Sequence, residues 1–207
     1  MTIAVIDYGM GNLRSVVNAF IAVGADVEIA RSPSDLLSCR GIVLPGVGAF
    51  KDGMVRLREN GWIDALQSEV FDVRKPFLGL CLGMQLMGSH GAEHGESQGL
   101  GWIPGDVVRL EEGKGSLKVP HIGWNDVDVA VGSRLFKDVG ESAILYFLHS
   151  YHLRPDKNEA IAATCTYGVE FAAAVEVENL FGAQFHPEKS QKGGLKILQN
   201  FASVVDD

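Results

Sequence analysis

The residues best suited to chemistry lie in two stretches, Pro76-Phe77-Leu78-Gly79-Leu80-Cys81-Leu82-Gly83-Met84-Gln85 and Phe185-His186-Pro187-Glu188. In the first, Gly-x-Cys-x-Gly sits between an apolar strand-like run and an apolar helix-like run, the pattern of a nucleophile elbow with sulfur in place of oxygen. Side chains at positions 79 and 83 would collide with neighbouring backbone at so sharp a turn; their absence lets a thiol project above a sheet edge. The N-terminus of the following helix favours negative charge on that sulfur. In the second stretch, Pro187 cannot continue a sheet ladder, so His186 stands at a strand end. Glu188, two residues on in extended chain, points the same way and can hold one ring nitrogen while the other faces Cys81. A thiol, an imidazole and a carboxylate so ordered can attack an acyl carbon and pass a proton to the leaving group.

Such an attack develops an oxyanion, and a donor for it is available in Pro45-Gly46-Val47-Gly48-Ala49-Phe50. The glycines allow a peptide plane to rotate, so that N–H groups around Val47 and Gly48 can face the oxyanion, with the N–H of Leu82 as the second donor. A second glycine turn, Asp7-Tyr8-Gly9-Met10-Gly11-Asn12-Leu13-Arg14, has Arg14 where a dinucleotide-binding fingerprint needs its third glycine. It reads as a tight strand-to-helix turn with Asn12 as the cap. His90 and His94 share an i,i+4 spacing, but Gly91 replaces the expected Glu, which argues against zinc. His149 and His152 read as structural or pocket-lining, and Cys39 and Cys165 as small buried residues without chemistry.

The elements that must position these groups alternate in the first half. Residues 3–7, 26–29, 41–44 and 76–80 read as strands. Between them, residues 12–23 place Leu13, Val16, Val17, Phe20 and Val23 on one helical face, and residues 57–71 do so less cleanly because Gly61 interrupts. Crossover helices of this kind imply a mainly parallel sheet covered on both faces. The second half changes character: residues 106–110, 117–121, 125–129, 143–148, 160–167, 171–178 and 180–185 are short and strand-like, which predicts antiparallel pairing. Val177-Glu178-Asn179-Leu180 has the form of a tight reversal, and residues 193–205 close the chain as a helix with Leu195, Leu198 and Phe201 on one face. With no linker, repeat or break in composition, the 207 residues read as a single α/β domain.

Composition excludes several classes of function. A formal charge of -8 leaves no basic stripe for phosphates, against nucleic acid or an anionic membrane as partner. No apolar run reaches the roughly 18 residues of a membrane span, and no targeting segment precedes the first strand. Three cysteines without short paired spacing suit a reducing compartment, so the expected location is the cytoplasm.

Taken together, the elbow, the glycine loop and the His-Pro-Glu ending resemble the triad, or class I, glutamine amidotransferases over essentially the whole chain. Asp7-Tyr8-Gly9-Met10-Gly11-Asn12-Leu13-Arg14-Ser15 and Pro120-His121-Ile122-Gly123-Trp124-Asn125 resemble, within that superfamily, the glutaminase subunits of imidazole glycerol phosphate synthases. The resemblance implies a three-layer α/β fold, with a central largely parallel sheet, helices on both faces and an added antiparallel region in the second half. It implies a triad of Cys81, His186 and Glu188, an oxyanion strand containing Val47 and Gly48, and glutamine contacts from Gln85, Glu93, Ser150 and Tyr151. It further implies ammonia delivery, without any cofactor, to a (β/α)8-barrel cyclase subunit that contacts Asn12, Trp124 and Lys189. Three other readings stay open: a glutaminase of the same family serving another acceptor, a different α/β cysteine hydrolase, and a binding protein with a vestigial elbow.

Overall fold

The computed structural model describes residues 2–111, 118–140 and 142–206. Its first half runs β1 (Thr2–Ile6), α1 (Leu13–Ala22), β2 (Asp26–Ala30), β3 (Gly41–Gly46), α2 (Phe50–Glu59), α3 (Trp62–Gln67), β4 (Phe77–Cys81) and α4 (Leu82–Leu86). After the short strands β5 (His90–Gly91) and β6 (Ser97–Gln98), the second half runs β7 (Gly105–Arg109), β8 (His121–Val129), β9 (Ser142–His149), β10 (Tyr151–Pro155), β11 (Ile161–Tyr167), β12 (Val169–Val177), β13 (Leu180–Ala183) and α5 (Gln191–Asp206).

Nine strands form one sheet in the order β2-β1-β3-β4-β13-β12-β11-β8-β9. The five from β2 to β13 are mutually parallel, and from β13 onward every pairing is antiparallel. The division follows the sequence pattern. β3 and β4 are buried at every residue, as strands covered on both faces must be. β8 alternates buried or half-buried with exposed positions, as a strand with one wet face does. One apolar core lies under α1 and α5, where Phe20 and Phe181 both meet Phe201 edge-on. The other lies under α2, α3 and α4, around Phe50, Leu57, Trp62, Leu66 and Met84. Sheet and two helix layers give the expected three-layer α/β architecture, and among the described residues no helix is long and apolar enough to cross a membrane.

Several expected boundaries move. The helix expected over 57–71 becomes α2 and α3, separated by Gly61 at φ 71, with a wide turn at Ser68–Asp72 after them. β3 extends through Pro45 and Gly46, because Gly46 stays in register with Cys81, so the glycine loop is only residues 47–49. The strands expected over 117–121 and 125–129 are one strand beginning at His121, and residue 117 lies outside the described residues. β10 was not expected; it pairs with β7 in a second sheet of order β10-β7-β5-β6.

The elbow rests on a backbone contact. Cys81 adopts φ 52 and ψ -106 between β4 and α4, a conformation that costs a non-glycine residue about 1–3 kcal/mol. A Cβ on Gly79 would lie 2.6 Å from the carbonyl carbon of Gly83, and one on Gly83 would overlap the Leu44 carbonyl oxygen and lie 2.9 Å from its carbon. Gly83→Ala is therefore expected to destabilise the fold by about 3 kcal/mol, which lowers the midpoint of thermal unfolding by about 6–12 °C. A midpoint within 2 °C or so of the parent, read by calorimetry, would contradict this packing.

Candidate active site

Parallel strands deliver their C-terminal ends to one edge of the sheet, and the chemistry collects there. β4 ends at Cys81, and β13 leads through Gln184 and Phe185 to His186. Leu80 pairs with Ala183 and Cys81 with Gly46, so the thiol, the imidazole and the glycine loop emerge from three adjacent strands. Pro187–Lys189 is a single 3-10 turn, not the extended chain expected, because Pro187 starts a helical turn readily. The turn swings the Glu188 carboxylate back onto the ring, and His186 Nδ1 lies 2.9 Å from Glu188 Oε1. Ser190 fixes the turn: its hydroxyl donates to the His186 carbonyl at 2.6 Å and accepts from the Tyr146 N–H at 3.0 Å, which stitches it to β9.

Both side chains of this pair are almost fully buried. Burial on its own would lower the imidazole's affinity for a proton, but Cys81 and Glu188 together outweigh it and raise the His186 pKa from 6.5 to about 10. Cys81 is the first of these influences, acting at short range on the ring and through its charge, although among the described residues His186 Nε2 meets no partner at full hydrogen-bond geometry. The sulfur instead lies 3.9 Å from the Leu148 carbonyl and 3.7 Å from Nε2 of Gln184.

The thiol opens into a cleft of about 480 Å³. Val47, Gly48 and Leu82 border it on one side, and Gln85, Glu93, Ser150 and Tyr151 on the others. All seven residues expected from sequence to surround the reacting group therefore meet here. Leu82 opens α4, so its N–H belongs to the first turn, which has no intrahelical acceptor. α4 is only five residues long, and the helix expected behind the thiol is thus little more than one turn. Gly48 sits at φ 109, in reach of rotations closed to other residues. Glu93 accepts the Phe50 N–H at 2.9 Å; its carboxylate thus also pins the start of α2, where the glycine loop ends.

Asn12, Lys189 and Trp124 lie away from the cleft. Asn12 caps α1, accepting from the Ser15 N–H at 3.4 Å, and with Lys189 it lines a cavity of about 20 Å³ that His186, Glu188 and Val47 also line. Lys189 Nζ stands 5.8 Å from the centre of the Tyr146 ring, and Tyr146 meets Trp124 edge-on. Ile122, Trp124, Ile144 and Leu148 form an exposed apolar stripe across β8 and β9, and Leu148 also borders the cleft.

Sequence reasoning missed Gln184, Ser190 and Tyr8. Gln184 is a fully buried amide inside an apolar run, a pattern that itself calls for a polar partner. Tyr8 runs beneath the glycine loop, where a Cβ on Gly46 would overlap its hydroxyl. That hydroxyl has no hydrogen-bond partner among the described residues, and burial first, then charge on Cys81, push its pKa well above the usual range. The first glycine turn thus packs on the second, with Met10 against Gly48 and Gly11 against Pro45. A larger concavity of about 840 Å³ lies at the opposite, N-terminal ends of the strands. It holds no nucleophile, and its Arg74, Lys75 and Arg134 are paired with Glu178, Glu69 and Glu176.

Comparison with known proteins agrees with this geometry. Residues 4–204 match the family Glutamine amidotransferase class-I. The imidazole glycerol phosphate synthase subunit HisH of Desulfitobacterium hafniense (strain DSM 10664 / DCB-2) is 47% identical over 205 residues, covering 99% of this chain and 95% of that protein. The HisH subunit of Geobacter sulfurreducens is 48% identical over 206 residues, with 98% of each chain covered. Among solved structures, PurLQS from Thermotoga maritima superposes with a TM-score of 0.77 at 20% identity over 98% of each chain, a likeness of fold. A nucleophile elbow on a half-parallel, half-antiparallel sheet and near-full-length matches of this strength lead to one assignment: the chain belongs to the class I glutamine amidotransferase family, among its HisH-type members.

Proposed function

We propose that the chain is the glutaminase subunit of an imidazole glycerol phosphate synthase, hydrolysing glutamine to glutamate and ammonia for a (β/α)8-barrel cyclase partner in histidine biosynthesis. The observation that carries this reading is the convergence of Cys81, which opens into the cleft, with His186, whose proton affinity the sulfur raises and whose ring Glu188 holds at 2.9 Å. The 46–48% identity to HisH subunits supports the choice of acceptor over others served by the same fold. Three buried free cysteines suit a reducing compartment such as the cytoplasm.

The chemistry follows from the arrangement. Cys81 Sγ attacks the side-chain carboxamide carbon of glutamine, and the oxyanion accepts hydrogen bonds from Leu82 and from the rotated Val47–Gly48 peptide. His186, held by Glu188, gives its proton to the departing nitrogen, so ammonia leaves as a thioester remains. Water then attacks the thioester as His186 takes back a proton, and glutamate is released with the thiol restored. An imidazole whose pKa is raised to about 10 is protonated near neutral pH, the state needed for the first transfer. Gln85, Glu93, Ser150 and Tyr151 hold the glutamine. The small cavity lined by Asn12, Val47, His186 and Lys189 adjoins the triad and offers ammonia a path toward the partner. The stripe of Trp124 and its neighbours supplies an apolar anchor for the cyclase.

Cys81→Ser is expected to lower glutamine turnover at least about 1,000-fold in the presence of the barrel partner, and to abolish labelling by an electrophilic glutamine analogue. Retained turnover, followed as glutamate formed, would refute the mechanism. Trp124→Ala is expected to weaken binding of the cyclase by more than about tenfold in titration calorimetry without altering the fold. An unchanged affinity removes Trp124 from the interface. A third outcome concerns pH. Because the folded His186 pKa exceeds its unfolded value of 6.5, the stability it contributes is fully present below pH 6.5 and is lost as pH rises through about 10. The advantage in thermal stability of the parent over Glu188→Gln should shrink across that window; an advantage that is flat or grows with pH contradicts the pairing.

A further inference from the structure

Behind the cleft wall lies a continuous line of hydrogen bonds that includes neither His186 nor Glu188. Asn125 Nδ2 is 3.4 Å from His121 Nε2 and donates to the Thr166 carbonyl at 3.0 Å. His121 Nδ1 is 3.1 Å from His149 Nε2, and His149 Nδ1 is 3.0 Å from the Tyr151 carbonyl. The same carbonyl accepts from Gln85 Nε2 at 2.7 Å. Gln85 Nε2 also donates to Gln184 Oε1 at 3.0 Å, and Gln184 Nε2 reaches Cys81 Sγ at 3.7 Å.

The polarity of this line is forced from one end. A carbonyl oxygen only accepts, so His149 Nδ1 must carry a proton for the contact to Tyr151 to be attractive. Burial depresses the pKa of His149 to about 3 and of His121 to about 4, so both rings are neutral at working pH. A neutral ring has one N–H, which makes His149 Nε2 an acceptor. His121 must then donate to it from Nδ1, which leaves His121 Nε2 to accept from Asn125. Both rings are thereby held as the Nδ1–H tautomer. With both Nε2 hydrogens of Gln85 engaged, the only group Gln85 can offer a ligand in the cleft is its oxygen, an acceptor.

We propose that His121 and His149 are positioning residues: a pair of neutral Nδ1–H imidazoles that carries a one-way hydrogen-bond chain from Asn125 on β8 to the Tyr151 carbonyl, and so fixes the cleft wall and the polarity with which Gln85 meets the glutamine. This rests on the glutaminase reading for its kinetic consequence, and on the hydrogen bonds alone for its tautomers. The chain also joins the reverse side of β8, whose outer side bears Trp124, to the wall of the cleft.

The test has two arms. In the full-length ¹⁵N-labelled protein at neutral pH, correlation of ring nitrogens with ring protons is expected to show Nδ1 protonated and Nε2 unprotonated in both His121 and His149. An Nε2–H or cationic pattern at either ring overturns the proposal whether or not the protein hydrolyses glutamine. His121 is stacked between Phe147 and Tyr167 at 4.8 and 4.0 Å, so His121→Phe keeps the stacking while removing the chain. That variant, assayed with the cyclase present, is expected to raise KM for glutamine about tenfold, with kcat changed less than about threefold and the thermal midpoint close to the parent's. An unchanged KM, or a loss confined to kcat, overturns it. Absence of glutamine hydrolysis in the parent protein would instead refute the glutaminase reading and leave the tautomer result standing.

Discussion

The backbone at Cys81 is the constraint on which the rest of the molecule depends. A residue with a side chain is held at φ 52 where a strand becomes a helix, and it stays there only because Gly79, Gly83 and the Leu44 carbonyl are packed without intervening atoms. The conformation costs about 1–3 kcal/mol, and the parallel strands supply the compensation: β3, β4 and β13 are buried throughout and joined in register up to the turn. If β3 slid by one residue, the Leu44 carbonyl would leave Gly83 and Gly46 would leave Cys81. The thiol, the glycine loop and the imidazole are therefore set by a single sheet register.

The two halves of the sheet divide the work. Parallel strands end at one edge and place there the groups that react, whereas the antiparallel half wraps around that edge and makes the walls. β9 contributes the Leu148 carbonyl beside the sulfur and the Tyr146 N–H that anchors Ser190; Ser150, between β9 and β10, and Tyr151, the first residue of β10, complete the wall. Hairpins suit this task because each cross-strand rung can present one side chain inward and the next outward. His121 faces His149 across one rung, and Trp124 faces Tyr146 across another with its ring toward solvent.

Much of this was legible in the sequence, for identifiable reasons. Gly79, Cys81 and Gly83 were readable because steric demand on a tight turn leaves a spacing signature, and His186 with Glu188 because Pro187 marks where a strand must stop. The wrong local geometry was inferred for Glu188, since the same proline that ends a strand also begins a helical turn. β10 escaped notice because Tyr151–Pro155 carries Arg154 and Pro155 and pairs at a sheet edge. Ser190, Gln184 and the Leu148 carbonyl act through backbone groups or through partners distant in sequence, and no spacing rule reports those. Gln184 left one trace, an amide placed where its neighbours demand an apolar residue.

Three imidazoles lie close to the sulfur's surroundings, and their fates separate cleanly. Burial disfavours the charged form of His121, His149 and His186 alike. Only His186 has a carboxylate against its ring, and only His186 is pushed upward; the other two face amide and imidazole nitrogens and a carbonyl, groups that reward a neutral ring with a fixed tautomer. A positive charge on His186 further disfavours a second one on His149. Burial alone keeps His121 neutral, and burial first, with the charge on His186 as the last of several smaller influences, keeps His149 neutral, so the pair can hold the cleft wall while the proton moves on the ring that Cys81 and Glu188 hold charged.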